Sequence, residues 1–248
     1  MRSIWIFYGL ALGGTWLMQL PALLGARGVL PGGVAPYMLP AALGGFGPIV
    51  AAVLAARSEG PGAVRALFAS LRPRAGLLGW YIFALLAFPA LHVLGEAAYR
   101  LTTGAAAGAW LYPPVAPQQW LVLLLIPLVE EPGWRGFAMP RLAERYGWWR
   151  ASWLVGIGWA AWHAVMFVLQ GFGAATFALG MLMIVTGSVV FGWLFDRTRG
   201  SLLAAVVAHV GVHLDNPTHA LPANVTAYAV FATTVCAAAA LISTLRRR

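Results

Sequence analysis

The chain contains no lysine and a single cysteine, and only 9% of its 248 residues are charged, with 7 acidic side chains in all. One cysteine, Cys236 in a late apolar run, excludes an intrachain disulfide and a thiolate metal cluster. An average soluble domain carries roughly 25% charged residues, so so sparse a complement cannot cover an ordinary aqueous surface. Every basic residue is an arginine, 16 in number, and the net charge is +9. These arginines are scattered between apolar runs and do not gather into a basic patch, which argues against a nucleic-acid partner. The missing lysine, beside abundant alanine and glycine, fits a GC-rich bacterial genome and a bacterial inner-membrane location.

What is present is hydrophobic: 61% of the residues, with 12% aromatic. Eight apolar runs approach or reach the roughly 20 residues that cross a bilayer core: 4–24, 36–56, 77–98, 118–139, 151–170, 174–195, 201–216 and 223–244. The first is read as a span and not as a cleaved signal peptide, because its apolar run is long and further spans follow. The seventh is short. Trp80, Tyr81, Trp120, Trp148 and Trp149 stand at run ends, as interfacial aromatics do. The expected fold is all-α: a polytopic membrane bundle of about eight helices, one integral domain over 1–248.

Arginine placement gives an orientation. With the N-terminus inside, Arg2, Arg57, Arg65, Arg72, Arg74, Arg141, Arg145, Arg150, Arg197, Arg199, Arg246, Arg247 and Arg248 fall in inner segments, and only Arg27 and Arg100 in outer loops. Thirteen against two is a positive-inside bias that puts both termini in the cytoplasm.

Ionisable groups inside lipid-spanning segments cost a few kcal/mol each and are functional suspects until partnered. They are His92, Glu96, Glu130, Glu131, Arg135, His163, His209, His213 and Asp215, with Asn216 alongside. Counting from the nearest inner arginines at 1.5 Å per residue, Glu130, His163 and His209 lie roughly 15 to 20 Å deep on three different helices. They are therefore expected to meet in one layer. His209, His213 and Asn216 follow at i, i+4 and i+7, one helical stripe, with Asp215 turned away toward the outer end. Glu131 and Arg135 are spaced i, i+4 as a structural ion pair, which leaves Glu130 on another face. Pro132 and Gly133 are expected to weaken the helix there and open its backbone. His92 with Glu96 reads as a local pair near the outer interface, and His219 as a loop histidine.

At these residues the sequence resembles the CPBP family of intramembrane proteases, which includes the type II CAAX prenyl endopeptidases and the Abi proteins involved in bacteriocin processing or immunity. EEPGWRGFAMPRL, residues 130–142, is similar to the family's E-E-x-x-x-R motif. WAAWH, residues 159–163, resembles its aromatic-x-x-x-His motif through Trp159 and His163, and AHVGVH, residues 208–213, resembles H-x-x-x-N. The likeness spans 118–216, the expected catalytic region. One position departs: the family's asparagine, four after His209, is His213 here, with Asn216 as the competing replacement.

The resemblance implies hydrolysis of a peptide bond in a membrane-associated protein or peptide. Glu130 would act as general base on a water shared with His163. His209 would donate, as a neutral N–H, to the developing oxyanion, and His213 would be a second donor. Glu131, Arg135 and Trp159 would support the site. No cofactor is required on this reading. Glu130, His163 and His209 also form a His₂Glu set of the kind that binds catalytic zinc, although no H-E-x-x-H signature accompanies it. Bacteriocin precursors or membrane-anchored peptides fit a bacterial host better than prenylated proteins. Two rival classes stand beside the protease: a proton-coupled transporter, for which no paired repeat is found, and a non-catalytic immunity or scaffold protein.

Overall fold

A computed structural model of the chain describes residues 2–216 and 224–245; His219 and Arg246, Arg247 and Arg248 lie outside the described residues. Most of the described residues are helical, and no strand occurs among them. This is the all-helical outcome that lipid enforces, since a helix satisfies its own backbone polar groups.

The helices, in chain order, are α1 (Arg2–Ala26), α2 (Ala35–Gly44), α3 (Gly47–Arg57), α4 (Ala63–Ala69), α5 (Leu78–Thr103), α6 (Pro117–Glu131), α7 (Met139–Leu169), α8 (Ala174–Arg197), α9 (Leu202–Leu214) and α10 (Val225–Leu245). By length and apolarity alone, five continuous runs among the described residues are able to cross a membrane, or six if α2 and α3, bent by 40°, form one span. The sequence suggested about eight, and two features account for the difference. Helix continues from Pro117 to Leu169, a 53-residue run, but Gly147 inside it adopts φ 73°, ψ 155°. Glycine alone takes that conformation without a Cβ penalty, so the run turns there into two limbs, each long enough to span. The other feature is α9, whose 13 residues rise only about 20 Å.

Small residues let the helices close on one another, as they do where lipid removes the hydrophobic drive between helices. A Cβ at Gly156 would stand 2.8 Å from the carbonyl oxygen of Val185, joining α7 to α8, and one at Gly133 would stand 2.7 Å from that of Pro48, joining the end of α6 to α3. A Cβ at Gly211 would collide with the carbonyl of Leu85, so α9 and α5 touch backbone to backbone. The helix α1 is a full member of the bundle: Thr15 Oγ1 donates to Gly44 O at 2.8 Å and accepts from Trp162 Nε1 at 2.9 Å.

The arginine-bearing segments share one end. Arg74 Nη1 donates to the carbonyls of Thr198 and Arg199 at 3.2 and 3.3 Å, and Leu202 N donates to Ser70 O at 3.1 Å. Arg141 pairs with Glu59 across the turn after α3 and, as hydrogen-bond donor, holds that carboxyl below its ordinary value.

Candidate active site

Between α6 and α7 the chain runs through a wide, π-type segment, Pro132–Ala138. The expected weakening at Pro132 and Gly133 does not break the helix. The proline removes one N–H, and the chain widens by one residue per turn without opening. Pro132, Gly133, Trp134 and Arg135 are all buried there. Such widened turns re-aim side chains, and this one sets Glu130, Glu131 and Arg135 inward together.

Glu131 and Arg135 form the expected pair. Arg135 Nη1 reaches both carboxylate oxygens, at 2.9 and 3.2 Å, and its Nη2 donates to Ser188 Oγ of α8 at 3.2 Å. The guanidinium also lies 4.2 Å from the ring centroids of both Trp159 and Phe191, one cation–π contact on each. Carboxylate and guanidinium are 0% and 1% exposed, so breaking either partner strands a buried charge.

Trp159 is the hub. Its Nε1 donates to Glu130 Oε2 at 2.7 Å, and its carbonyl lies 2.9 Å from Nδ1 of His163 on the next turn. A carbonyl only accepts, so Nδ1 of His163 carries the proton, and in the neutral ring Nε2 presents a lone pair. The same indole meets the His209 ring edge-on at a centroid distance of 5.4 Å. Glu130, His163 and His209, from α6, α7 and α9, are thus gathered around one side chain. Neither Oε1 of Glu130 nor Nε2 of His163 takes a hydrogen bond from the described residues.

His209 is joined to Glu131 as well, its Nδ1 2.8 Å from Oε1. That contact bears on its expected role. If Nδ1–H points at the carboxylate, the neutral ring can only accept at Nε2. For Nε2 to donate, the Glu131–His209 pair must hold two protons between them, and the titrating unit is the pair. His213 stacks on His209, with ring centroids 5.0 Å apart and planes at 15°, so both rings lie on one face of α9.

Three expectations fail at the outer end. Asn216 is not on that stripe, because α9 ends at Leu214 and Asp215 is extended at φ −141°, ψ 95°; the i+7 spacing has no helical meaning past the end. Asp215 does not turn away: it is buried, with Oδ2 2.8 Å from Nδ1 of His92 and Oδ1 accepting from Tyr112 N at 2.5 Å. His92 and Glu96 therefore do not pair with each other; Glu96 accepts from Arg100 Nε at 2.7 Å. Tyr112, Ser188 and Phe191 were not singled out from the sequence. Ser188 was detectable as a hydroxyl within an apolar run, but a search for ionisable groups passes over it.

The zinc alternative asks for three ligands converging on one point. Among the described residues no three His, Cys, Asp or Glu side chains are placed to hold a metal ion. Oε2 of Glu130 accepts from Trp159, and Glu131 is held by Arg135 and His209.

Residues 112–214 match the family described as Rce1-like, type II CAAX prenyl endopeptidase. A curated relative, CAAX prenyl protease 2 of Methanococcus maripaludis, is 31% identical over 102 residues, an alignment that takes in 38% of this chain and 38% of the relative. The chain thus matches well under half of that relative's length. The matched stretch runs from the segment before α6 to the end of α9 and contains Glu130, Glu131, Arg135, Trp159, His163, His209 and His213. Over that stretch the chain is similar to the CPBP family, the group that includes the type II CAAX prenyl endopeptidases.

Proposed function

We propose that the protein is an intramembrane endopeptidase that hydrolyses a peptide bond of a membrane-associated protein or peptide with a water activated by Glu130 and His163. The observation that carries this reading is the double tether at Trp159. One oxygen of Glu130 is occupied by the indole N–H, and Nδ1 of His163 by the indole residue's carbonyl, so each side chain keeps one acceptor for a water molecule. A water donating to both acceptors directs a lone pair outward, and Glu130 takes its proton as the oxygen attacks the scissile carbonyl. Charge then develops on the carbonyl oxygen. Nε2 of His209 is the donor in this reading, in the state where the Glu131–His209 pair holds two protons, and His213 supplies a second N–H. The proton held by Glu130 passes to the amine as the C–N bond breaks, which returns the carboxylate.

No step in this reading is routed through a metal. The related name CAAX prenyl protease 2 makes a lipid-anchored C-terminal peptide one substrate class, and a bacterial host favours membrane-anchored peptides more broadly. Labelling of new N-termini in membranes, with wild type compared against Glu130→Gln, tests the reading. The amide keeps the size and the acceptor for Trp159 but cannot take the proton. The expected result is a set of N-termini present with wild type and absent with the variant, at equal amounts of inserted protein. Identical N-termini in both membranes refute the proposal. Elemental analysis of the purified active protein should find far less than one zinc per chain; stoichiometric zinc, with activity lost on chelation and restored by zinc, reverses the metal-free assignment.

A further inference from the structure

The short helix α9 carries two of the histidines of the site, yet its 13 residues cover only about 20 Å of a core roughly 30 Å thick. A helix that stops partway has no second interface of its own to set its height and rotation. Its inner part is held by Leu202 N on Ser70 O and by His209 on Glu131, and its outer part by two contacts with α5. Gly211, midway between His209 and His213, brings the α9 backbone against the carbonyl of Leu85. One turn later the chain leaves the helix at Asp215, whose carboxylate takes Nδ1 of His92 on one oxygen and the Tyr112 amide on the other.

The same knot fixes the segment between α5 and α6. Asn216 N donates back to Tyr112 O at 3.3 Å, and the His92 ring stacks on Tyr112 at 5.2 Å with planes at 14°. One turn along α5 from His92, Glu96 accepts from Gly108 N at 3.4 Å, while Arg100 Nη2 donates to Gly108 O at 2.9 Å. His92 and Asp215 are each 2% exposed. A buried ionisable pair adds little stability over an apolar pair of similar volume, and what it does supply is directional. His92 lies outside the stretch that matches the family, and Asp215 follows directly after its end.

We propose that His92 and Asp215 are positioning residues, which set the rotation and height of α9 and so aim His209 and His213 at the scissile carbonyl. The inference rests on the endopeptidase reading, and its test separates the two. Alanine at either position is expected to lower kcat about 100-fold with KM within about threefold, the signature of misplacement and not of lost binding. The double alanine variant should be no worse than Asp215→Ala alone, because that change already removes the His92 contact. Asp215→Asn keeps an acceptor for Tyr112 and offers an N–H to the other His92 tautomer, so it should retain most activity. Asp215→Glu keeps the charge but adds a methylene to the lock, and should be as impaired as alanine.

Hydrogen exchange supplies a readout that needs no substrate: the amides of residues 208–213 should exchange about tenfold faster in Asp215→Ala and Asp215→Glu than in wild type or Asp215→Asn. If the alanine proteins do not accumulate, the asparagine and glutamate variants decide. An active Asp215→Glu beside an inactive Asp215→Asn overturns the proposal, since charge and not position would then matter; so do alanine variants with wild-type kcat and exchange. Should wild type itself cleave nothing, the endopeptidase reading falls, and the exchange data still decide whether the lock holds α9.

Discussion

The Trp159 indole meets Glu130, Arg135, His163 and His209, so its two chemical features are separable by substitution. Trp159→Phe keeps a ring for Arg135 and the histidines but deletes the N–H that fixes Glu130. The carboxylate then loses a buried partner, a loss worth about 1 to 3 kcal/mol, and gains rotational freedom. The expected outcome is a folded protein with kcat lowered roughly 10- to 100-fold and little change in KM; steady-state kinetics at equal folded protein checks it. Unchanged kcat would show that the indole N–H does not orient the base. At this scale much of the site is legible in the sequence. A glutamate or histidine in an apolar run stands out, and i, i+4 spacing identifies Glu131 with Arg135. Pairings between helices were not legible. The same spacing rule joined His92 to Glu96, whereas His92 pairs with Asp215, 123 residues away, because partner choice there depends on how α5 and α9 pack.

Elements come together in this chain where side chains are absent. Gly156 allows α7 to rest on α8 near Val185 and Ser188, the serine that Arg135 Nη2 reaches. Gly156→Val should push α8 outward, cost about 1 to 3 kcal/mol by overpacking, and lengthen the Ser188–Arg135 contact. Gly9→Ala, where an added Cβ meets nothing within 4 Å, should be nearly neutral. Thermal denaturation in detergent compares the two, and a Gly156→Val protein as stable as Gly9→Ala would mean that the α7–α8 seam is not closely packed. Helix existence was readable from apolar runs, and run boundaries fell close to the observed ones. Continuity was not. Gly147 was unremarkable among 29 glycines, and Pro132 with Gly133 looked like a break where the structure has a widened turn, because burial in the bundle overrides local propensity.

For the molecule as a whole, the segments that bear Arg72, Arg74, Arg141, Arg197 and Arg199 meet at one end through Arg74 with Thr198 and Arg141 with Glu59. The positive-inside rule predicts that this charged end faces the cytoplasm. Reporter fusions at residue 66 and at the C-terminus should both be active only as cytoplasmic reporters; a periplasmic signal from either overturns the assignment. This asymmetry was legible from arginine counts alone, but the end-to-end meeting of segments more than 80 residues apart was not. The opposite end is shaped by the early stop of α9. Hydrolysis consumes a molecule that lipid excludes, and a catalyst in the membrane interior must have it delivered. Where α9 ends, the Asp215 carboxylate, the His92 imidazole and the Tyr112 amide stand together where a longer helix would present hydrocarbon. A water inlet at that end predicts that turnover in thick and thin bilayers differs less than it would for a site sealed behind full-length helices; equal loss of turnover with thickness would exclude the inlet.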